Sequence, residues 1–322
     1  MKYLLIVNPL SGRGSNPRRI EFVLRYFRHH GHAIDVRLTA GPGHATQLAR
    51  DACLADYDVI IGGGGDGTIN EVLNGIEGAD KVLGILPWGT GNVFASEMGF
   101  PGRLRSACRL IRKGPTALLD VGICNGRRFL LMVGAGLDAY SLKQLDGQLA
   151  KRRLGRLAYA FAAFKAFARY HFPEIGVQLP DGRSDRGSFI LVSNTSRYGN
   201  FFSFTPEASP SDGRLDVFVF RKSGRWNTML LGLRYLFLFM LGGTRPALPM
   251  GVARHRVYRT EGLSISSSKP VLIQSDGELQ GFLPATIRVQ PRAVRMILPR
   301  RAIRKFWGRQ HPSISTNGPE GS

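Results

Sequence analysis

The stretch from Val59 to Ile76, VIIGGGGDGTINEVLNGI, joins an apolar run, four consecutive glycines and an aspartate that precedes a helix-like pattern. Glycine loses much conformational entropy on folding, so four in a row need a steric reason. Glycines allow backbone N–H groups at a helix start to approach a phosphate closely. We therefore predict a phosphate-binding loop, with Asp66 acting through Mg²⁺ or ordered water. The alternative is a tight strand-to-helix turn in which Asp66 caps the helix.

A second glycine loop, GTGN at 89–92, also follows an apolar run and precedes a helical pattern. Two such loops at one edge of a sheet could hold a single polyphosphate, with the Thr90 hydroxyl as a donor. Taken alone, GTGN is equally typical of an ordinary helix start. The chain contains no GxxxxGK[ST] sequence, so the predicted loop is not a P-loop.

Apolar runs and helical patterns alternate in the first third of the chain and must position these loops. KYLLIV, AIDVRL, DVII and VLGILP are predicted strands with helices between them. This alternation is typical of an α/β domain with a doubly wound parallel sheet, which we place at residues 1–118. Ligands of such sheets bind at the carboxyl ends of the strands, which here follow Val7, Leu38, Ile61 and Leu86.

The pattern changes after Leu118 to short strands separated by glycine-rich turns. Asn125-Gly126 is a strong hairpin signal, and several further strands follow. We predict a mainly antiparallel β domain at 119–299 and a basic, then disordered tail at 300–322. The apolar stretch 228–243 is shorter than the roughly 20 residues that span a bilayer. It is predicted to be a buried helix or a lipid-contacting one.

Composition restricts the class of partner. The 322 residues contain 44 Lys and Arg against 23 Asp and Glu, a net charge of +21. This excess favours polyanions such as nucleotides or an anionic membrane surface. No nucleic-acid recognition pattern accompanies the charge, so we predict no nucleic-acid partner. Three scattered cysteines and a first apolar run too short for a signal peptide predict a cytoplasmic protein.

Several motifs together resemble one family. GGGDGTINEV, LPWGTGNVFA, GAGLDA, SPSDGRLDVFVF and SDGEL are similar to the catalytic region shared by diacylglycerol kinases, sphingosine kinases and bacterial YegS-type lipid kinases. The resemblance extends from Met1 to about Pro299. It implies a phosphofructokinase-like α/β domain, a β-rich lipid domain, and nucleotide in the cleft between them. It also implies transfer of the ATP γ-phosphate, with Mg²⁺, to a primary hydroxyl of a membrane lipid, first of all diacylglycerol.

The resemblance assigns roles to individual residues. Those expected to bind the nucleotide are Asn8, Pro9, Ser11, Gly12, Thr39, Gly63, Gly64, Gly65, Asp66, Gly67, Thr68, Ile69, Asn70, Glu71, Thr90, Arg152 and Arg153. The expected catalytic residues are Asp276 as general base, Asp66, and Glu278 as the second candidate for the base. Asp138 would meet the polar head of the substrate, and Ser209, Asp212 and Arg214 would bind a structural Mg²⁺.

Two of these assignments have structural alternatives, and one further position departs from the family pattern. Asp276-Gly277 is also a common turn dipeptide between strands. Arg152 and Arg153 could belong to a solvated helix face instead of contacting phosphate. Val93 stands where diacylglycerol kinases typically carry an aspartate in GTGND, which puts glycerolipid specificity in question.

The sequence is compatible with three other functions. A sphingoid-base or ceramide kinase would use the same motifs on a different lipid. An NAD kinase also uses GGDGT, but its Asn-Glu pair lies farther downstream than Asn70-Glu71 does here. A non-catalytic lipid- or nucleotide-binding protein is the third alternative. Exposed edge strands would make a homodimer possible.

The segment PRRAIRKFWGR at 299–309 has five basic residues, no acidic ones, and the pair Phe306-Trp307. Basic side chains and interfacial aromatics bind anionic membrane surfaces reversibly. We therefore predict peripheral association with the inner face of the membrane. Packing of this segment back onto the first domain is the alternative.

Overall fold

The computed structural model describes residues 1–12, 16–146, 170–199, 203–221, 254–308 and 314–315. The chain forms two compact units, and the element labels below number the described elements only. Unit 1 comprises Met1–Val121, Pro210–Gly213 and Gln290–Ser322, and unit 2 comprises Gly122–Ser209 and Arg214–Val289. The predicted boundary at 118 thus lies close to the first change of unit, whereas the return of the chain to unit 1 was not predicted.

Unit 1 alternates parallel strands with helices. Its elements are β1 (Lys2–Val7), α1 (Asn16–His29), β2 (Ala33–Leu38), α2 (His44–Cys53), β3 (Val59–Gly64), α3 (Asp66–Gly75), β4 (Val82–Pro87), α4 (Val93–Met98) and α5 (Leu104–Lys113). The strand order is β2-β1-β3-β4, and each of these pairs is parallel. The second half of β16 (Ala285–Ile297) lies parallel to β4.

Helices cover both faces of this sheet, as an almost continuously apolar parallel strand requires. Val23 and Phe27 of α1 and Ile111 of α5 belong to one buried cluster with the strand residues of one face. On the opposite face, Ile69 and Val72 of α3 are buried, and both side chains approach Gly62. The doubly wound parallel arrangement is confirmed.

Unit 2 is mainly antiparallel. Its elements are the end of β5 (Thr116–Cys124), β6 (Arg127–Phe129), β7 (Met132–Ala135), α6 (Leu137–Asp146), β8 (Ile175–Gln178), β9 (Ser184–Gly187), β10 (Phe189–Ser193), β11 (Leu215–Arg221), β12 (Arg254–Thr260), β13 (Gly262–Ser266), β14 (Leu272–Ser275), β15 (Glu278–Phe282) and the first half of β16. One sheet has the order β12-β11-β10-β7-β14-β15. The first half of β16 continues a second series through β13 and β8 to β9.

The core of unit 2 lies between these two sets of strands. Val133, Ile190 and Val217 of the first pack in one buried cluster with Ile175 and Ile287 of the second. The predicted, mainly antiparallel β domain is confirmed, and its two sets of strands form a sandwich. The hairpin between β5 and β6 turns at Asn125 and Gly126, whose φ angles of 47° and 85° suit a two-residue turn.

The segment after Pro299 differs from the predicted tail. Arg300–Phe306 forms helix α7, and Ala302, Ile303 and Trp307 are buried because they share the helix face that packs into unit 1. The Trp307 indole donates a hydrogen bond to the Leu118 carbonyl at 3.3 Å. Farther along, Ile314–Ser315 (β17) pairs with β5.

No helix within the described part of the chain is long and apolar enough to cross a bilayer. The apolar stretch 228–243 lies outside the described residues, so its prediction stays untested.

Candidate functional site

Four strand ends of unit 1 lie level at one edge of the parallel sheet. Val7 is paired with Leu38 on one side and Gly63 on the other. Gly63 is in turn paired with Leu86 of β4. Parallel strands that end in register place their following loops side by side, so the loops flagged in the sequence meet at this edge.

The glycine run divides into two parts with different functions. Gly62, Gly63 and Gly64 are buried residues of β3, which extends beyond the predicted end at Ile61. Gly64 must be a glycine because α3 folds back over the strand: a Cβ there would lie 2.4 Å from the Thr68 hydroxyl oxygen. A Cβ at Gly63 would instead lie 3.2 and 3.3 Å from side-chain carbons of Leu5 and Val7 on β1. Only Gly65 follows the strand, as the residue before α3.

Gly65 and Gly89 bring the two glycine loops into backbone contact. A Cβ at Gly89 would lie 2.4 Å from the Gly65 Cα, so any side chain larger than that of glycine would clash there. The Gly64 carbonyl accepts hydrogen bonds from the Trp88 and Gly89 amides at 2.9 and 3.0 Å. The Asn92 side chain closes the second loop by accepting from the Gly89 amide at 3.1 Å. The two loops thus form one fixed surface.

Asp66 joins the same two loops through its side chain. Its carboxylate oxygens accept hydrogen bonds from the backbone amides of Val93 and Phe94, at 2.9 and 3.1 Å. Asp66 begins α3, yet it caps the N-terminus of α4, whose first amides have no partner within that helix. The capping interpretation is therefore observed, but on α4 and not on the helix that Asp66 begins.

The loop after β1 lies against the second glycine loop. The Asn8 side chain accepts a hydrogen bond from the Leu10 amide at 2.9 Å, and the Asn8 carbonyl accepts one from the Ser11 amide at 3.1 Å. Gly12 has a φ of 77°, and a Cβ there would lie 2.3 Å from the Trp88 carbonyl oxygen. The turn therefore brings Asn8, Ser11 and Gly12 to the sheet edge, and Pro9 is exposed there.

Other residues of the predicted nucleotide set are committed to local structure. The Glu71 carboxylate caps α2 by accepting from the amides of Gly43 and Ala45, at 2.9 and 3.0 Å. Ile69 is fully buried, and its amide bonds to the Gly65 carbonyl. Asn70 is buried and accepts from the Asn74 side chain. These three residues shape the start of α3, while the amides of its first turn remain oriented toward the edge.

Of the remaining predicted nucleotide-binding residues, some lie at the sheet edge, some are buried, and two lie outside the described residues. Thr90 is exposed in the second loop, and Gly67 is half-buried in the first turn of α3. Thr39 and Thr68 are buried, and the Thr39 amide bonds to the Val7 carbonyl at 2.8 Å. Arg152 and Arg153 lie outside the described residues, so both interpretations of them stay open.

In unit 2, Asp276 occupies the turn between β14 and β15. Its φ is 48° and that of Gly277 is 85°, which fits a two-residue hairpin turn. The Asp276 carboxylate accepts three backbone amides, from Leu130 at 2.7 Å, Leu131 at 2.9 Å and Met132 at 3.0 Å. These donors match the acceptor-only character of an ionised carboxylate. The structure therefore fixes the orientation of the predicted base.

The three amides point at Asp276 because residues 130 and 131 lie in a break between strands β6 and β7. After the Asn125-Gly126 turn, β6 ends at Phe129 and β7 begins only at Met132. Asn194 holds the break from the other side: its side-chain amide donates to the Leu130 carbonyl at 3.0 Å. Sequence reasoning missed this backbone site, since it depends on the break and not on residue type.

Glu278, the second candidate for the base, forms an ion pair with Arg127. Both side chains are partly exposed, so water screens this pair. The pairing orients the Glu278 carboxylate toward Arg127, whereas the Asp276 carboxylate is oriented by backbone amides.

Asp138 lies at the start of α6 with its carboxylate enclosed by protein groups. One oxygen accepts from the Tyr198 hydroxyl, and the other accepts from the Gln274 side-chain amide at 2.5 Å. Burial raises the pKa of the Asp138 carboxyl, and these two hydrogen bonds oppose the rise only in part. The residue retains some accessible surface, although its carboxylate is densely surrounded. Tyr198 and Gln274 were not predicted as site residues.

The predicted metal loop precedes β11. Asp212 is exposed there, and Ser209 and Arg214 flank it in the chain. Carboxylate and carbonyl oxygens are the donors that Mg²⁺ takes, so the donor chemistry fits the ion. Asp120, which was not predicted, fixes this loop: its buried carboxylate accepts from the amides of Gly213 and Arg292, each at 2.7 Å. Within the described ranges, no three His, Cys, Asp or Glu side chains cluster as metal ligands.

The cysteines of the chain do not supply a nucleophile to these sites. Burial raises the pKa of Cys108 to about 12 and that of Cys124 to about 11. Both remain protonated thiols at neutral pH, and the thiolate is the reactive form.

Comparison with known families accounts for both units. Residues 2–124 match the diacylglycerol kinase catalytic domain. Residues 131–298 match the YegS C-terminal NAD kinase beta sandwich-like domain. The first match covers the alternating strands and helices of unit 1 through β5, and the second covers most of unit 2 together with the second half of β16.

Individual relatives align over nearly the whole chain. A diacylglycerol kinase of Bacillus subtilis (strain 168) is 29% identical over 307 residues, covering 92% of this chain and 96% of the relative. A diacylglycerol kinase of Staphylococcus aureus (strain MRSA252) is 27% identical over 301 residues, covering 92% and 91%.

Solved structures share the fold. A crystal structure of a diacylglycerol kinase from Bacillus anthracis str. Sterne has a TM-score of 0.66 at 22% identity, covering 94% of this chain and 98% of that chain. With both domain matches and the described sheet topology, the chain belongs to the lipid kinase family that joins a diacylglycerol kinase catalytic domain to a YegS-type C-terminal domain.

Proposed function

We propose that this enzyme transfers the γ-phosphate of ATP, with Mg²⁺, to the primary hydroxyl of diacylglycerol or a closely related lipid. The observation that carries the proposal is the backbone contact between Gly65 and Gly89 at the sheet edge. It holds the second glycine loop beside the first turn of α3, whose amides and dipole favour a phosphate. The names of the relatives support diacylglycerol as the acceptor.

Each unit supplies a distinct requirement of the reaction. Phosphoryl transfer needs positioning and charge stabilisation of the phosphates, for which we propose the amides of Gly65, Gly67 and Thr68 and the loop after β1. It also needs a group that accepts the hydroxyl proton, for which we propose Asp276. A positioned base is worth on the order of 10²–10⁴ in rate.

Mg²⁺ would shield the phosphate charge from the nearby carboxylates when it is bound with ATP. Asp212 with the backbone carbonyls of Ser209 and Arg214 is the proposed site of a structural Mg²⁺. Asp120 supports that proposal because its carboxylate fixes the loop through the Gly213 amide.

We further propose that the enzyme reaches its lipid by binding an anionic membrane surface through α7. Arg300, Arg301, Arg304 and Lys305 are exposed on this helix. The predicted aromatic anchor is corrected: Trp307 is 5% exposed because it packs into unit 1, so it cannot enter the membrane interface. Phe306, the other member of the predicted aromatic pair, is partly exposed and could still join the basic side chains, which would contribute roughly 1 kcal/mol each.

A lipid panel tests the proposed acceptor. Purified enzyme is incubated with radiolabelled ATP and, separately, diacylglycerol, monoacylglycerol, a sphingoid base, ceramide and NAD. Label in the diacylglycerol product supports the proposal, and preferred labelling of a sphingoid base or ceramide replaces the acceptor. Labelling of NAD alone would support the alternative of an NAD kinase, and no transfer to any acceptor would support a non-catalytic binding protein.

A further inference from the structure

One buried amide connects Asp138 to the turn that contains Asp276. Gln274 of β14 lies opposite Gly134 of β7 and is 4% exposed. Its Nε2 donates to the Asp138 carboxylate at 2.5 Å, and its Oε1 accepts from the Gly277 amide at 2.8 Å. A single side chain therefore bridges helix α6 and the turn.

The amide can serve both contacts in one orientation only. The Gly277 backbone N–H is a donor, so the amide oxygen must face it. The amide nitrogen then necessarily faces Asp138. Because the Tyr198 hydroxyl binds the other Asp138 oxygen, the carboxylate is held on two sides.

Gly134 shows that the space around this bridge is fully used. A Cβ at Gly134 would lie 2.1 Å from an Asp138 carboxylate oxygen and 2.8 Å from Gln274 Nε2. The absence of a side chain at this strand position is what lets Asp138 and Gln274 meet. This observation is independent of the hydrogen bonds themselves.

The turn is consequently fixed at two points. The Asp276 carboxylate is held by the amides of residues 130–132, and the next amide, that of Gly277, is held by Gln274. Asp276 has a left-handed backbone, which a non-glycine residue adopts only when its surroundings determine it. Removing one of the two attachments would leave the carboxylate bound but free to tilt with the turn.

We propose that Gln274 is a positioning residue for phosphoryl transfer. It holds the Asp276-Gly277 turn against α6, so that the Asp276 carboxylate meets the acceptor hydroxyl in one orientation. This inference rests on the proposed function, in which Asp276 accepts the hydroxyl proton.

Three variants test the bridge in the full-length enzyme. Gln274→Leu removes both contacts at similar volume. Gln274→Glu keeps an acceptor toward Gly277 but turns an oxygen toward Asp138. Gly134→Ala inserts a methyl group between Asp138 and Gln274. We expect kcat for diacylglycerol to fall roughly 10- to 100-fold in Gln274→Leu and Gly134→Ala, and less in Gln274→Glu, because small misplacements of a catalytic group have effects of this size.

The KM for ATP should remain at the wild-type value in all three variants, since none alters unit 1. The Gln274→Leu/Gly134→Ala double variant should be no slower than either single variant, because both interrupt one bridge. Gln280→Leu is the matched control: it is the same residue type on neighbouring β15, and its Nε2 has no hydrogen-bond partner among the residues that the structure describes. We expect wild-type kcat for this control.

Kinetics are measured well below the melting temperature of each variant, so that unfolding does not contribute. A wild-type kcat in Gln274→Leu or Gly134→Ala would overturn the inference, as would an equal loss in Gln280→Leu. If Gln274→Leu does not fold, Gln274→Glu and Gly134→Ala decide the outcome. Wild-type enzyme without lipid phosphorylation would overturn the proposed function itself, and the inference would fall with it.

Discussion

The Asp66 carboxylate accepts a hydrogen bond from the backbone amide of Val93 at 2.9 Å. One residue of the first glycine loop thereby caps the helix that follows the second. The backbone of Val93, and not its side chain, makes this connection, so the contact does not depend on the residue type at position 93. The two hypotheses for Asp66, helix cap and phosphate-site carboxylate, are therefore compatible in one side chain.

Substitution of Asp66 separates these two roles. An Asn side chain has one acceptor oxygen and can accept only one of the two amides, so Asp66→Asn should lose about 1 kcal/mol in the free energy of unfolding and Asp66→Ala about 1–2 kcal/mol. Both should lose nearly all turnover, because neither carries the negative charge. Denaturant unfolding and steady-state kinetics measure the two effects. Wild-type turnover in Asp66→Asn would remove the carboxylate from the mechanism.

A carboxylate at position 93 should alter metal dependence. Val93 is half-buried beside Asp66, and Val93→Asp would add a second negative group next to the first. We expect a changed Mg²⁺ concentration for half-maximal activity or a changed lipid preference, because paired carboxylates attract divalent cations. A Mg²⁺ titration of both enzymes with two lipids measures this. Superimposable titrations would show that position 93 serves packing alone.

The contact between the glycine loops should be sensitive to one methyl group. Gly89→Ala places a Cβ 2.4 Å from the Gly65 Cα, so the two loops must separate. We expect the KM for ATP to rise at least about tenfold, in line with the loss of aligned phosphate contacts. Gly102→Ala is the control, since no atom of the described residues lies within 4 Å of its added Cβ and its φ is not positive. Equal ATP KM values in the two variants would contradict a phosphate-binding role for the loop contact.

Asp276→Asn should affect both stability and rate. The Asn side chain has one acceptor oxygen, so its NH₂ group would face at least one of the three amides that Asp276 now accepts. We expect a loss of about 1–3 kcal/mol in the free energy of unfolding. The kcat of the folded enzyme should fall by roughly two decades or more, with the KM for ATP little changed.

Gly277→Ala provides the comparison for Asp276→Asn. It strains the same turn through a φ of 85° and leaves the carboxylate in place. Gly277→Ala should therefore lower the free energy of unfolding but retain a larger fraction of wild-type kcat than Asp276→Asn does. If Asp276→Asn raised the ATP KM at unchanged kcat, Asp276 would have a binding role, and Glu278 would become the next candidate for the base.

Membrane binding through α7 should depend on charge. Arg300, Arg301, Arg304 and Lys305 are changed together to Gln, and co-sedimentation with liposomes of increasing anionic lipid content is compared with wild type. Loss of four basic groups should weaken binding by up to about 4 kcal/mol at low salt, and salt should weaken wild-type binding. Retained catalysis on detergent-dispersed lipid is the control. Binding that ignores both salt and these substitutions would exclude α7 as the membrane contact.

The order of elements in unit 1 could be predicted because buried parallel strands form apolar runs that loop glycines interrupt. The end of β3 could not, since Gly62 to Gly64 have the composition of a loop and the packing of a strand. Helix α3 packs against the end of β3, and its Thr68 occupies the space that a side chain at Gly64 would need. Tertiary packing here overrides the local preference of glycine.

In unit 2 the sequence pointed to Asp138, Asp276 and Glu278, which stand in motifs, but not to the groups that hold them. Asp276 stands in a recognisable SDGE motif, but the amides that hold it come from residues 130–132, far away in the chain. Gln274 and Tyr198 have no distinguishing local pattern, because their roles arise from strand pairing and from the position of α6. Trp307 shows the opposite error, since an aromatic beside basic residues suggested a membrane anchor and is instead buried.

The central claim is tested most directly by following the γ-phosphate of ATP to its acceptor. Wild-type enzyme, Asp66→Asn and Asp276→Asn are each incubated with Mg²⁺, γ-labelled ATP and diacylglycerol in mixed micelles, and the labelled products are identified by mass. We expect wild-type enzyme to place the label on the primary hydroxyl of diacylglycerol, and both variants to lose this product by roughly two decades or more. Label found only in inorganic phosphate or in phosphorylated NAD, or equal lipid labelling by all three enzymes, would contradict the account.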